Sequence, residues 1–407
     1  MSKYFTYRSR DDLERDIAAR GVGIELAKGL DALLKPMTIG GREVGNRLAV
    51  QPMEGCDATL DGLPGELTFR RWERFGAGGA KLIWGEATAV VPEGRANPRH
   101  LVIEERTAPA LKQLLTRTRR AHRQRFGGGD DLIVGLQLTH SGRFSYRKPL
   151  IAQHAPPLDA VKHIDSDHPL IADEYLEGLE DRYAEAAALA YGIGFDFVDI
   201  KQCHGYLLNE LLGARKRGGK YGGDFDGRTR FVRNVVGKIR AHSGPELLIA
   251  SRLNIFDGAP FVARADGTRE PSRGPYPWGF GTNCERPDES DLEEPLRLVG
   301  LLRELGVSLI NVTMGSPYWN PHIGRPFERA AVDGYVPPEH PLIGVERHFR
   351  LTAEVQWAFP ELAVVGNGYS WLRHYAALAG EANVRAGRVS IMGLGRGAIA
   401  YPDFAVD

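Results

Sequence analysis

A chain of 407 residues with 43% hydrophobic content can bury one large core or two medium ones. Lys plus Arg and Asp plus Glu both number 52, so no net charge steers the protein toward nucleic acid or an anionic membrane, and a small-molecule partner is expected. Cys56, Cys203 and Cys284 are widely spaced with no CxxC, which argues against a disulfide framework, a cysteine-ligated metal and an iron-sulfur cluster. The opening MSKYFTYRSRDDLERD has no apolar segment behind its basic residues, and no run approaches the ~18 apolar residues of a membrane span. A cytoplasmic location is the expectation.

Residues 1–35 carry mixed charge and a loose helical pattern (Leu13, Ile17, Val22, Leu26, Leu30), and are expected to form an N-terminal helical extension ahead of a catalytic domain over 36–407. Gly40-Gly41 between short alternating segments signals a two-residue hairpin. Strands are then predicted at 48–53, 81–89, 132–138, 195–201, 247–253, 309–313, 363–366 and 389–393. Helical patterns fill the gaps at 64–75, 109–126, 173–191, 228–242, 292–305, 345–359 and 370–385. Runs such as LIVGLQL are continuously apolar, as strands buried on both faces of a parallel sheet must be. Eight strand-helix units predict a closed (β/α)8 TIM barrel of the α/β class. The open doubly wound alternative needs a glycine-rich first turn, and GCDAT lacks it. Two long loops, 254–294 and 315–340, follow strands and are expected to overhang the catalytic face as lids, binding loops or contacts of a homo-oligomer.

Four groups of residues carry chemistry. Gly366-Asn367-Gly368-Tyr369-Ser370 and Gly393-Leu394-Gly395-Arg396-Gly397 place glycines and a guanidinium after the last two strands, which predicts a phosphate site; tight turns that merely need glycine are the plainer alternative. GLGRGA also matches GxGxxA, but too few residues follow it for a dinucleotide-binding unit. Gln137 and Arg252 stand near strand ends. A buried Arg252 demands an anionic or carbonyl partner, either a ligand or a loop carboxylate. Lys201, His204 and Tyr206 follow the fourth strand. If the segment stays extended, His204 and Tyr206 face one side and converge on one ligand; if not, they are a core pair satisfied by backbone groups. Lys201 at a barrel strand end also fits a Schiff-base lyase, and Cys203 beside it reads as a packing residue.

Together these segments resemble the Old Yellow Enzyme family, the FMN-dependent ene-reductases. The resemblance runs from about Pro36 to Phe404 and rests on PMTIGGREVGNRLAVQPM, WGEATAVVPEGR, GLQLTHSGR, DFVDIKQCHGYLLNELL, KYGGDFDGRTRF, VVGNG and GLGRGAIAYPDF, in the family's order. It implies an FMN cofactor reduced by NADH or NADPH, and hydride transfer from the flavin to an activated C=C. Pro52, Met53 and Ala87 would lie against the flavin, Gln137 would bond its pyrimidine edge, and Arg252 would face its N1-C2 edge. Gly368, Gly395 and Arg396 would bind the phosphate, Tyr206 would donate a proton, and Lys201 with His204 would hold the substrate oxygen. A flavin-dependent dehydrogenase acting on a C-H next to a carbonyl or amine, and an inactive flavin-binding protein, are the alternatives within this resemblance. Two departures stand out. Lys201 replaces the family's usual histidine, which suggests an anionic substrate, and Glu54-Gly55-Cys56 lacks the residues commonly found near the flavin.

Overall fold

The computed structural model describes residues 4–263, 269–272, 274–328 and 335–407. Residues 264–268 and 273 of the first long loop and 329–334 of the second lie outside the described residues. Eight parallel strands close into a barrel: β1 (Leu48–Val50), β2 (Leu82–Ala89), β3 (Ile133–Thr139), β4 (Phe197–Ile200), β5 (Leu248–Asn254), β6 (Leu309–Thr313), β7 (Ala363–Gly366) and β8 (Ile391–Leu394). Each pairs with its sequence neighbours, and β8 pairs with β1 to complete the ring. Seven helices of ten residues or more, from Glu66–Ala77 to Ala376–Arg385, occupy the connections between consecutive strands. The expected (β/α)8 architecture is therefore present.

Local chemistry explains where the boundaries moved. The expected first strand to Met53 stops at Val50, because Pro52 has no N-H to give the ladder. The helix expected from Ser370 begins instead as a 3-10 segment, Tyr369–Tyr375, because Arg373 adopts φ 52° and breaks the helical path before Ala376–Arg385. A two-residue parallel strand, Leu101–Val102, on the edge of β2 and a small hairpin, Phe261–Ala263 with Arg269–Pro271, were too short to show a period.

The predicted hairpin, Met37–Ile39 with Arg42–Val44, turns through Gly40 and Gly41 at φ 52° and 83°, the signs a type I′ turn needs. A Cβ on Gly40 would stand 2.5 Å from the Leu248 side chain, so the turn sits hard against the start of β5. Ile39 and Val44 join Leu82, Trp84, Ile133, Phe197, Leu248, Leu309 and Ile391 in the cluster inside the barrel, and the hairpin plugs its amino-terminal mouth. A larger cluster fills the space between strands and helices.

Above the apolar layer the barrel interior turns polar. The Asp199 carboxylate accepts from Trp84 Nε1 (2.7 Å), Gln137 Nε2 (2.5 Å) and the Arg252 backbone N-H (2.7 Å). Across the barrel Asn311 Nδ2 donates to Gln51 Oε1 at 2.5 Å, and Asn367 Nδ2 donates to Asn311 Oδ1 at 3.1 Å. This layer is the floor of the site. Residues of the amino-terminal stretch pack outside: Ser9 caps the Arg10–Arg20 helix, and Glu381 accepts the backbone N-H groups of Ala32 and Leu33. Among the described residues no helix is long and apolar enough to cross a membrane.

Candidate active site

A cleft with two lobes opens at the carboxyl end of the strands. One lobe, of about 570 Å³, is lined by Pro52, Met53, Glu54, Lys201, His204 and Tyr206 together with Arg252, Arg396 and residues of the second long loop. The other, about 290 Å³, is lined by Gln51, Gly368, Ser370, Trp371, Gly393 and Gly395, and shares Met53, Arg252, Arg325 and Arg396 with the first. Nine of the eleven residues singled out from the sequence line this cleft; the exceptions are Ala87 and Gln137. The Ala87 backbone carbonyl lies 2.8 Å from His100 Nε2, and Gln137 Nε2 donates to Asp199 in the floor.

Close packing of the protein's own side chains requires glycine at two positions of the second lobe. At Gly395 an added Cβ would meet the Met53 sulfur at 2.9 Å, and at Gly368, φ 90°, it would meet the His348 side chain at 2.8 Å. Positive charge converges there without a balancing carboxylate. Among the described residues none of Arg252, Arg325 and Arg396 forms an ion pair, while Glu328 nearby is engaged by Trp371 and Arg373. Burial, together with Arg325 and Arg252, pushes the Arg396 guanidinium down to about 10.

Arg252 is the more telling case. It is 7% exposed, its Nη1 donates to the Pro52 carbonyl at 3.1 Å, and its Nε is buried with no partner. Burial lowers its pKa. The alternative of a loop carboxylate is thus not realised among the described residues. Gln51 Nε2, in the second lobe, is likewise buried and unpaired. A guanidinium Nε and an amide Nε2 that are buried without acceptors carry a desolvation cost that an electron-rich ligand would remove. The unpaired donors and the uncompensated guanidinium groups fit an anionic, electron-rich cofactor such as a flavin nucleotide.

The residues after β4 meet by a different route from the one alternation suggested. The chain turns at His204, φ 65°, rather than staying extended, and Tyr206 then starts the Leu207–Leu212 helix. Both side chains still enter the same lobe. His204 Nε2 stands 3.3 Å from Thr313 Oγ1, and burial, with Arg252, Lys201 and Arg396 close by, holds the imidazole well below its usual value and so neutral. Lys201 Nζ lies 3.7 Å from the centroid of the Tyr206 ring and 3.4 Å from Glu54 Oε1. Its charge is offset inside the protein, so an anionic substrate no longer follows from Lys201 itself.

Glu54 is the residue sequence reasoning missed. Its Oε1 accepts the Tyr206 hydroxyl at 2.8 Å as well as the Lys201 ammonium, and Tyr206 in turn lies 2.9 Å from the Tyr318 hydroxyl. Burial would push the Glu54 carboxyl up, but His100, Lys201 and the Tyr206 hydroxyl outweigh it and hold it below the usual carboxylate range. Burial, then Glu54 and Tyr318, raise Tyr206 well above an ordinary phenol, which keeps it protonated. The signal for Glu54 was its place beside Met53. Gln51, two residues before Met53 and in step with the inward Ala49, was findable from strand alternation.

The family model of the NADH:flavin oxidoreductase / NADH oxidase family matches residues 32–261, more than half of the chain. An NADPH dehydrogenase of Halalkalibacterium halodurans is 30% identical over 233 residues, 56% of this chain and 65% of its own, so the match spans just under two thirds of that relative. Among solved structures, a 2-naphthoyl-CoA reductase in complex with 2-naphthoyl-CoA superposes with TM-score 0.69 at 17% identity, covering 93% of this chain and 52% of the other. An old yellow enzyme homologue from Zymomonas mobilis superposes with TM-score 0.62 at 20% identity, covering 91% and 90%. These two likenesses concern the barrel fold, whereas the family match covers the first five barrel strands: the chain belongs to the NADH:flavin oxidoreductase / NADH oxidase family.

Proposed function

We propose that the protein uses NADH or NADPH to reduce bound FMN and passes the hydride to an activated C=C, with Tyr206 supplying the proton. FMN would contribute the hydride chemistry. The chain's own residues do the rest. Gly368, Gly395 and Arg396 would hold the FMN phosphate, with Gln51 Nε2 as an added donor; Pro52 and Met53 would line its ring system, and Arg252 would offer it the unpaired Nε. His204, neutral and half-buried, donates to a substrate oxygen and stabilises the negative charge that develops there. Tyr206, held protonated, delivers its proton to the adjacent carbon.

The observation that carries this reading is Arg252, a buried cation with an orphaned Nε that no carboxylate among the described residues satisfies. The lyase reading of Lys201 is disfavoured, because its ammonium is engaged by Glu54 and the Tyr206 ring. The test is the absorption spectrum of purified protein, followed by anaerobic addition of NADPH and then an enone. The expected result is a flavin spectrum that bleaches with NADPH and returns with the enone. A preparation that stays colourless after addition of FMN overturns the proposal.

A further inference from the structure

Tyr206 has one hydroxyl proton, and the structure commits it. Glu54 Oε1, 2.8 Å away, can only accept while the carboxyl is ionised, so the phenol donates to it. The Tyr318 hydroxyl, 2.9 Å from Tyr206, is then left as donor to the phenol oxygen. In this arrangement Tyr206 shows the cleft a lone pair, not a proton. A carboxylic acid at Glu54 would reverse the bond, donate to Tyr206, and free its proton for the cleft.

We propose that Glu54 is the proton-relay partner of Tyr206, exchanging a proton with the phenol whenever the phenol exchanges one with substrate, and that Lys201 positions the carboxylate. The inference rests on Tyr206 being the proton-transfer group proposed above. In reduction the Tyr206 O-H bond breaks as a C-H bond forms on the substrate. The Glu54 O-H bond breaks as the Tyr206 O-H re-forms, and the carboxylate left behind is held by the Lys201 ammonium at 3.4 Å. Glu54 regains its proton from solvent. Hydride and its electron pair arrive separately, from NADH or NADPH by way of the cofactor, so the relay carries protons only.

The groups around Glu54 set when it ionises. Lys201, on β4's end, and Tyr206 face its Oε1; His100 lies within electrostatic range from the segment after β2, its own pKa lowered by burial. Cys56 feels the Glu54 charge, and Glu86 binds the neighbouring Gly55 N-H at 2.9 Å while paired with Arg71. Tyr318 closes the chain of hydroxyls and stacks on Phe144 with centroids 3.8 Å apart.

The test compares wild type, Glu54→Gln and Glu54→Asp. FMN-loaded protein reduced with NADPH is mixed with 2-cyclohexenone, and the single-turnover rate is followed from about pH 5 to about pH 9. Wild type is expected to slow by up to about tenfold per pH unit as the acid form of Glu54 is depleted; Glu54→Asp keeps that slope, and Glu54→Gln stays flat within about twofold. A Glu54→Gln variant with the wild-type slope, or a flat Glu54→Asp, overturns the relay.

A second readout needs no cofactor. Because the folded Glu54 pKa is depressed, its contribution to stability is present above the unfolded carboxyl value of about 4.3 and is lost as pH falls through the folded value. The thermal midpoint of apoprotein should therefore fall more steeply in acid for wild type than for Glu54→Gln, and equal acid limbs overturn the proposal. A protein that binds no FMN, or whose FMN NADPH does not bleach, sinks the functional reading instead, while the apoprotein comparison still decides whether Glu54 ionises in this network.

Discussion

At the scale of single residues, two side chains give opposite lessons about charge. Arg252 is buried with an unpaired Nε, so the folded protein without ligand bears its desolvation. Arg252→Met should therefore leave the thermal midpoint of apoprotein unchanged or raised. The same variant should weaken FMN binding by about tenfold to about a hundredfold, the value of a hydrogen bond to a charged group; calorimetry and fluorescence titration measure the two. His204 is instead held neutral by burial and by three nearby cations, so it carries no charge to titrate at physiological pH. His204→Asn keeps a neutral donor and tolerates the left-handed backbone at φ 65°. Its turnover should stay within about tenfold of wild type, with no change in the pH profile, whereas His204→Ala should lose about a hundredfold in kcat/KM.

At the scale of elements, the loops are pinned by buried ion pairs. Arg143, 0% exposed, joins the turn after β3 to the Leu207–Leu212 helix after β4: its Nη1 pairs with Asp159, and its Nη2 donates to Glu210 Oε1 at 2.9 Å and to the Gln153 carbonyl at 2.7 Å. Glu210 also accepts the Ala152 and Gln153 backbone N-H groups. Removing the cation leaves two carboxylates without it. Arg143→Ala should cost about 3–5 kcal/mol in denaturant unfolding, more than a surface arginine by an order of magnitude. The helix this network anchors is the one Tyr206 begins, so the loss should also lower the rate of substrate turnover. Legibility differed sharply here. Arg143 closes the GLQLTHSGR segment yet serves as a structural strut, since nothing in a local motif says which distant carboxylates will surround it.

At the scale of the whole molecule, the amino-terminal stretch reaches the phosphate-side lobe from outside. Phe5 packs edge-on against Trp371 (5.4 Å) and His374 (5.8 Å), and Tyr7 also meets Trp371, which lines that lobe. Deleting residues 1–9 should therefore lower the thermal midpoint and speed FMN release. Phe5→Ala alone should cost about 1–2 kcal/mol, as a half-buried aromatic with several ring contacts does. Unfolding scans and dissociation of flavin into apoflavodoxin-type traps or by dilution check both.

How much of this was legible in the sequence depends on how local its cause is. The eight strands, the glycine turn at Gly40-Gly41 and the placement of Lys201, His204 and Tyr206 just past β4 follow from apolar periodicity, turn chemistry and strand length, which act over a few residues. The sequence by itself therefore determined the barrel and which side chains reach its catalytic end. It did not determine their partners. Glu54 and Lys201 are 147 residues apart and meet only across the closed barrel, and Gln137 and Asp199, 62 apart, meet only because β3 pairs with β4 in the register that sets them side by side. Tertiary structure alone decided that Lys201 is paired with Glu54, that Gln137 Nε2 binds Asp199, and that the Arg252 Nε is left without a partner among the described residues. A charge finds its partner through three-dimensional distance and burial, and neither is written in the spacing of a linear chain.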